Sequence, residues 1–132
     1  MSLSYITRGN SSPQGKAKVY FVCHPDDLHL CSEIAEEILS QVNCAVFYCE
    51  SITDPKTHMR DLAEMNLVVI PITTKLLTTP SDARDLEFPF AEAHHIPVLP
   101  LMQESGLDEL FNRVMGNLQY LDKNARDDTA IS

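Results

Sequence analysis

Residues 67–87 read LVVIPITTKLLTTPSDARDLE, a short apolar run followed by a polar loop and an acidic helix start. The apolar run at residues 67–70 has the length and composition of a strand that is buried on both faces, which is typical of a parallel sheet. Open parallel sheets bind their ligands just beyond the carboxyl ends of the strands. The stretch therefore predicts a ligand site after this strand, and Glu87 is positioned to place a carboxylate there.

Other apolar runs in the chain also have strand length. Residues 18–23 (KVYFVC) form a β-rich run that ends before Pro25, which disfavours a helical conformation for the residue preceding it. Residues 44–49 (CAVFYC) are apolar without interruption, as expected for a strand covered on both faces. Residues 96–101 (IPVLPL) predict a fourth strand, and residues 118–121 predict a short fifth strand.

The segments between these runs have helical periodicity. Apolar residues recur at three- and four-residue spacing over residues 28–42, which is the clearest helix in the chain. Residues 50–57 (ESITDPKT) are interpreted as a loop, residues 59–66 as a short amphipathic helix, and residues 107–114 as another helix that stops at Gly116. Alternating strands and helices predict an α/β fold with three layers: a doubly wound, mostly parallel, five-stranded sheet with flanking helices.

Two prolines add local expectations. Pro71 cannot donate a ladder hydrogen bond, so the third strand is expected to end, bulge or lose pairing on one side there. Pro89 is incompatible with a regular helix interior, so the helix is expected to kink or to start near Phe88. Glu87 is then expected at a helix entrance, where free backbone N–H groups would hold its carboxylate in the ionised form.

Composition narrows the functional class. The chain has 132 residues, 44% of them apolar, and a net charge of -9, which fits one domain with a real core and argues against nucleic-acid or membrane-surface binding. No apolar run reaches the roughly 20 residues needed to span a bilayer. The four cysteines form no CxxC pair, which favours buried reduced thiols and a cytoplasmic location.

The predicted domain boundaries follow from these segments. Residues 1–17 are interpreted as a flexible lead-in, with a cloning remnant as one explanation for the first three residues. Residues 18–121 form the predicted domain, and residues 122–132 a polar tail or the start of a truncated last helix.

Several motifs occur in an order that resembles a Toll/interleukin-1 receptor (TIR) domain. The chain has Phe-Val-Cys-His at residues 21–24 on the first-strand motif, the loop at residues 50–57 after the second strand, the Ser-to-Glu spacing of residues 81–87, and the late strand at residues 96–101. The resemblance covers residues 18–121. It implies a flavodoxin-like fold and a signalling or effector module of a larger bacterial protein.

The resemblance also implies an activity and a site. Many bacterial and plant TIR domains cleave the nicotinamide-ribose bond of NAD⁺, and Glu87 falls on the catalytic glutamate of the family. NAD⁺ would be the substrate, with no metal and no other cofactor. Self-association through the loop after the second strand and its neighbouring helices would activate the domain. The substrate-binding residues that the resemblance implies are His24, Asp26, Asp27, Ser51 and Ser81.

The chain departs from the family pattern at several positions. Ala83 and Arg84 stand where the family has a Trp-Cys pair, and Cys23 and His24 stand where it has Ser-Tyr. A TIR domain used only for protein-protein assembly is therefore an alternative to an enzyme. Glu87 would then be an ordinary first-turn glutamate.

Parts of the sequence also bear on two further families. The sequence His24-Pro25-Asp26-Asp27 after a first strand resembles the zinc-binding start of LmbE/PIG-L-type deacetylases, but a third zinc ligand is needed. In that interpretation, as in one where the aspartates cap the following helix, Asp26 and Asp27 would not contact NAD⁺. A phosphate-accepting receiver domain needs an aspartate at the end of the third strand, and residues 71–74 are Pro-Ile-Thr-Thr.

Overall fold

A six-stranded sheet runs through the centre of the computed structural model, which describes residues 4–6, 17–49, 52, 54–116, 118 and 120–122. The sheet order is β1-β3-β2-β4-β5-β6; β1 pairs antiparallel with β3, and all other pairs are parallel. The strands are β1 Ser4–Ile6, β2 Ala17–Phe21, β3 Cys44–Tyr48, β4 Leu67–Ile72, β5 Val98–Met102 and β6 Leu121–Asp122.

The α/β class and the parallel sheet are confirmed. The predicted number of five strands is not, because Ser4–Ile6, inside the segment interpreted as a flexible lead-in, adds an antiparallel edge strand. A three-residue strand carries too little periodicity to be identified from sequence alone.

Within the described residues, five α-helices connect the strands. They are α1 Leu28–Leu39, α2 Pro55–Leu62, α3 Thr74–Thr78, α4 Phe88–Ala93 and α5 Asp108–Met115. A 3₁₀ turn at Pro25–Asp27 precedes α1, and a π-helical turn at Ala83–Glu87 precedes α4. The first helix is shorter than predicted: Val42 lies beyond its end and is 53% exposed, so the periodic pattern overran the helix.

The start of α2 contradicts the prediction of a loop over residues 50–57. Pro55 occupies the first turn of the helix, where its missing N–H costs nothing. Asp54 caps the helix, because its carboxylate accepts hydrogen bonds from the backbone N–H of Thr57 at 3.5 Å and from its hydroxyl at 2.8 Å. The Asp-Pro pair is a helix-start signal that the loop interpretation missed, and the earlier start brings His58 into the helix.

The prolines in the sheet fall where the ladder tolerates them. The N–H of Val22 donates to the carbonyl of Val69, so the backbone polar groups of residue 69 point toward β2. By alternation the backbone nitrogen of Pro71 points to the same side, but it lies beyond the end of β2. β4 therefore continues through Pro71 to Ile72 on its β5 side, where Gln103 N–H donates to the Ile72 carbonyl. Of the three expected outcomes, loss of pairing on one side is the one observed.

Two apolar cores lie on the two faces of the sheet. One contains Tyr20, Val22, Phe47 and Ile70 with buried residues of α2 to α5, and the other contains Val19, Phe21, Cys23 and Val46 with the buried face of α1. The alternation along β2 assigns Tyr20 to the first core. The four cysteines form no disulfide bond with one another. No helix within the described ranges is long and apolar enough to cross a membrane.

Candidate functional site

A cavity of about 310 Å³ lies beyond the carboxyl ends of β2 and β3. This is the edge of the sheet at which open parallel sheets bind ligands. Glu87, His24 and Ser81, three of the residues singled out from sequence, line the cavity together. The described residues that line it are Cys23, His24, Pro25, Cys49, Ile52, Pro80, Ser81, Asp82, Ala83 and Glu87.

Glu87 reaches the cavity from the π-helical turn Ala83–Glu87. Phe88 N–H donates to the carbonyl of Ala83, five residues back, which widens the turn. A regular α-helix would instead bring the ring of Pro89 against the carbonyl of Asp85. The wide turn accommodates this proline, and π-helical turns of this kind occur frequently at functional sites.

The carboxylate of Glu87 is held by side chains and not by a helix terminus. Tyr20 Oη donates a short hydrogen bond to Oε2 of Glu87, and Nε2 of His58 lies 2.6 Å from the same oxygen. Glu87 caps no backbone N–H group of α4. The prediction that free N–H groups hold this carboxylate was therefore wrong, because the side chain turns into the protein toward the two donors.

These three side chains form a buried cluster, which we call the Tyr20-His58-Glu87 cluster. Tyr20 is fully buried, His58 is 1% exposed and Glu87 is 5% exposed. A carboxylate in the interior needs compensating donors, because burying an unpaired charge is costly. The cluster meets this requirement at Oε2, the oxygen that accepts both contacts.

Sequence reasoning did not identify Tyr20 and His58. Tyr20 looked like one apolar residue among others in a buried strand, although a buried tyrosine hydroxyl usually needs a partner. His58 fell at the edge of a segment taken for a loop. Its spacing from Leu62 is that of two residues on one helix face, and both are buried, so an earlier helix start would have placed His58 toward the core.

The protonation of Tyr20 suits its role as a donor. Burial, and then the negative charge of Glu87, raise the pKa of the Tyr20 phenol far above its ordinary value of 10.0. The hydroxyl therefore keeps its proton and donates a hydrogen bond to Oε2. At His58, a carboxylate acceptor beside Nε2 favours the tautomer with hydrogen on that nitrogen, while the buried Nδ1 has no partner among the described residues.

The two carboxylate oxygens of Glu87 differ in their contacts. Both hydrogen bonds of the carboxylate fall on Oε2, and Oε1 accepts none from the described residues. The side chain lines the cavity and keeps 7% of its exposure. Oε1 is thus the oxygen with free acceptor capacity for a molecule in the cavity.

His24 is held at the start of the 3₁₀ turn. Its Nδ1 accepts the backbone N–H of Asp26 at 3.0 Å, and its backbone carbonyl accepts the N–H of Asp27 at 2.8 Å. The Nδ1 lone pair is thereby occupied. Nε2 is the ring nitrogen that His24 has available for a ligand in the cavity.

Asp26 and Asp27 do not line the cavity. The Asp27 carboxylate accepts a hydrogen bond from Thr73 Oγ1 at 2.6 Å, which ties the start of α1 to the end of β4. The Asp26 carboxylate lies 3.2 Å from Nζ of Lys75. Neither caps α1 with its side chain, and both connect the segment after β2 to the segment after β4. Ser51 lies outside the described residues.

Ser81 organises the π-helical turn from the cavity side. Its Oγ accepts the N–H of Arg84 at 3.2 Å, and its own N–H donates to the Asp85 carboxylate at 3.3 Å. This reciprocal pattern resembles a capping box. Arg84 pairs with Asp85 at 2.8 Å and lowers the pKa of that carboxyl. Ala83 is buried against the cavity.

Two thiols also line the cavity, at Cys23 and Cys49. A hydrogen bond with Cys31, and then burial, raise the pKa of the Cys23 thiol far above its ordinary value. A thiol with a raised pKa is a poor nucleophile, because the reactive form is the thiolate. Cys23 is accordingly a packing residue at this site.

The described residues contain no group of three or more His, Cys, Asp or Glu side chains arranged to hold a metal ion. The zinc interpretation needs a third ligand beside His24 and an aspartate. His24 Nδ1 and the Asp27 carboxylate are engaged in protein hydrogen bonds instead. The residues present here do not fit a deacetylase-type zinc site.

No protein-family model, curated protein or solved structure gives a significant match to this chain.

Proposed function

We propose that this chain is a TIR-like domain that cleaves the bond between nicotinamide and ribose in NAD⁺, by hydrolysis or cyclisation, with Glu87 as the catalytic residue. The observation that carries the proposal is the position of Glu87. It matches the catalytic glutamate of the TIR family in sequence, and it lines a cavity at the carboxyl ends of parallel strands, with one oxygen that accepts no hydrogen bond from the described residues.

The strand order supports the same family. Without the antiparallel β1, the order β3-β2-β4-β5-β6 corresponds to the 2-1-3-4-5 order of flavodoxin-like sheets. In such sheets the ligand site lies where the order reverses, which is beside the central strand β2. Cys23, His24 and Pro25 follow β2 after Val22 and line the cavity.

The chemistry needs few groups. Nicotinamide leaves with the electron pair of the broken carbon-nitrogen bond as a neutral molecule, and the ribose passes through an oxocarbenium-like state. Oε1 of Glu87 would stabilise that positive charge electrostatically. In hydrolysis, water then adds to the same ribose carbon and releases one proton, giving ADP-ribose, nicotinamide and H⁺. His24 and Ser81, which both line the cavity, would contact the nucleotide.

We also propose that the domain is activated by self-association through the loop after β3 and its neighbouring helices. The proposed setting is a signalling or effector protein acting in the cytoplasm. The alternative without catalysis is a TIR-like domain that acts only as an interaction module.

The test is nicotinamide release from NAD⁺ by the protein at high concentration and by the protein clustered on an oligomeric carrier. Glu87→Gln is the informative variant, because its amide oxygen can still accept from Tyr20 and His58 while the negative charge is lost. Glu92→Gln, at an exposed position of α4, is the matched control. We expect Glu87→Gln to lose on the order of 10²-fold or more in rate and Glu92→Gln to keep full activity.

Two results would contradict the proposal. One is a clustered wild-type protein that releases no nicotinamide, which would leave the interaction module as the remaining interpretation. The other is a Glu87→Gln variant as active as the wild type, which would remove the catalytic role of this site.

A further inference from the structure

We infer that Tyr20 and His58 are positioning residues, which hold Oε2 of Glu87 in the interior so that Oε1 is presented to the cavity. The inference rests on the proposed function, because it states how the chain prepares Glu87 for that reaction. It concerns residues that lie outside the motifs of the resemblance.

The first support is the convergence of both contacts on one oxygen. Tyr20 Oη and His58 Nε2 each contact Oε2, and they lie 3.4 Å from each other. Two donors at one oxygen restrict the rotation of a carboxylate about its last side-chain bond. Oε1 is thereby directed away from the donors.

The second support is that neither residue lines the cavity. Tyr20 and His58 therefore act on a bound molecule only through Glu87. They come from rigid elements, since Tyr20 lies on the central strand β2 and His58 on the buried face of α2. Groups held by packed helices and strands keep a reactive side chain within a narrow geometry.

The third support is that no other described residue replaces them. Among the described residues, the hydrogen bonds of the Glu87 side chain come from these two alone. Their edge-on ring contact, with centroids 5.8 Å apart, fixes the rings relative to each other. Removal of either donor leaves Oε2 with one partner and leaves the carboxylate free to turn.

The test measures kcat and KM for nicotinamide release by the clustered protein, because a change in kcat alone separates a positioning role from a folding defect. Tyr20→Phe and His58→Leu each remove one donor, and His58→Gln keeps an N–H donor in its side-chain amide. We expect kcat to fall about 10- to 100-fold in Tyr20→Phe and His58→Leu, since small misplacements of a catalytic group cost this much, while KM changes less than about twofold. His58→Gln should recover part of the loss.

Matched controls are Tyr48→Phe at the end of β3 and His29→Gln on the exposed side of α1, both of which should keep wild-type kcat. A combination with Glu87→Gln adds a readout that a purely structural role would not produce. If Tyr20 acts through Glu87, Tyr20→Phe should have little further effect on the residual rate in that background.

A second measurement does not depend on activity. Urea unfolding of Tyr20→Phe, Glu87→Leu and the double variant forms a double-mutant cycle. The change in the unfolding equilibrium constant of the double variant should differ about tenfold from the product of the two single changes. If His58→Leu folds poorly, the test still holds, because His58→Gln and Tyr20→Phe are the mildest changes at their positions.

The outcomes distinguish the two proposals. If the wild type is active, Glu87→Gln is inactive, and Tyr20→Phe and His58→Leu keep full kcat, the positioning inference is wrong and the proposed function stands. If the clustered wild type is inert, the proposed function fails and the positioning role fails with it. Absence of coupling in the unfolding cycle would contradict the inference whatever the activity.

Discussion

Nε2 of His58 lies 2.6 Å from Oε2 of Glu87 in the interior of the protein, although 29 residues separate the two in sequence. The contact joins α2 to the π-helical turn that carries Glu87 into the cavity lining. With Tyr20 on the central strand, it forms a buried polar cluster inside an otherwise apolar core. Such a cluster has consequences for stability as well as for chemistry.

Replacement of Glu87 by leucine should destabilise the protein by about 3 kcal/mol, because the buried donors of Tyr20 and His58 lose their acceptor. At 3.4 Å the two can pair only weakly with each other. Glu87→Gln keeps an acceptor oxygen and should cost less than about 1.5 kcal/mol. Urea unfolding measures both values, and an equal loss in the two variants would contradict the hydrogen-bonding role.

Alkaline pH should weaken the fold through Tyr20. The folded-state pKa of its phenol is raised above the unfolded value of about 10 by burial and by Glu87. The contribution of the protonated phenol is thus fully present below pH 10 and declines as the pH rises above it, where the unfolded chain loses its proton first. Free energies of unfolding between pH 8 and 11 should fall more steeply in the wild type than in Tyr20→Phe. Parallel curves would show that Tyr20 does not titrate differently in the two states.

Thr73→Val should destabilise the protein by about 1 to 2 kcal/mol at nearly constant volume. The hydroxyl of Thr73 caps α3 by accepting the N–H of Leu76 at 3.1 Å, and it donates to the Asp27 carboxylate at 2.6 Å. Thr79→Val, at the exposed end of the same helix, is the control and should stay within about 0.5 kcal/mol of the wild type. Thermal and urea unfolding of the two variants would give the comparison, and equal stabilities would contradict the bridging role of Thr73.

The pKa of the Asp54 carboxyl should show whether the cap of α2 forms in solution. Hydrogen bonds from the side chain and the backbone of Thr57 lower the pKa of this carboxyl below its ordinary value of 3.8. The cap therefore contributes above the unfolded pKa and is lost as the pH falls through the folded pKa. Carbon-13 NMR of the Asp54 carboxyl should show a midpoint below 3.8 that moves upward in Thr57→Val. An unchanged midpoint would mean that the hydroxyl contact at 2.8 Å does not persist in solution.

Local sequence determined most of the secondary structure. The unbroken apolar runs predicted the parallel strands β2 to β5, because a strand covered on both faces cannot alternate with polar residues. Periodic apolar residues located α1 and α5. Errors occurred where the local signal was short or ambiguous, as at the two-turn helix α2 and the three-residue strand β1. The placement of Glu87 at the carboxyl edge of the sheet followed from its position after β4 and the general geometry of parallel sheets.

Only the tertiary structure decided what surrounds Glu87. Tyr20 and His58 lie 67 and 29 residues away along the chain, and no periodicity or motif relates such distant positions. Their meeting depends on the parallel pairing of β2 with β4, on the packing of α2 against the first core, and on the wide turn before Pro89. The sequence alone therefore supplied the carboxylate and the edge of the sheet where it lies. Folding determined which of its oxygens is buried against donors and which is left for the cavity, because burial compels a charged group to find partners wherever the packed chain provides them.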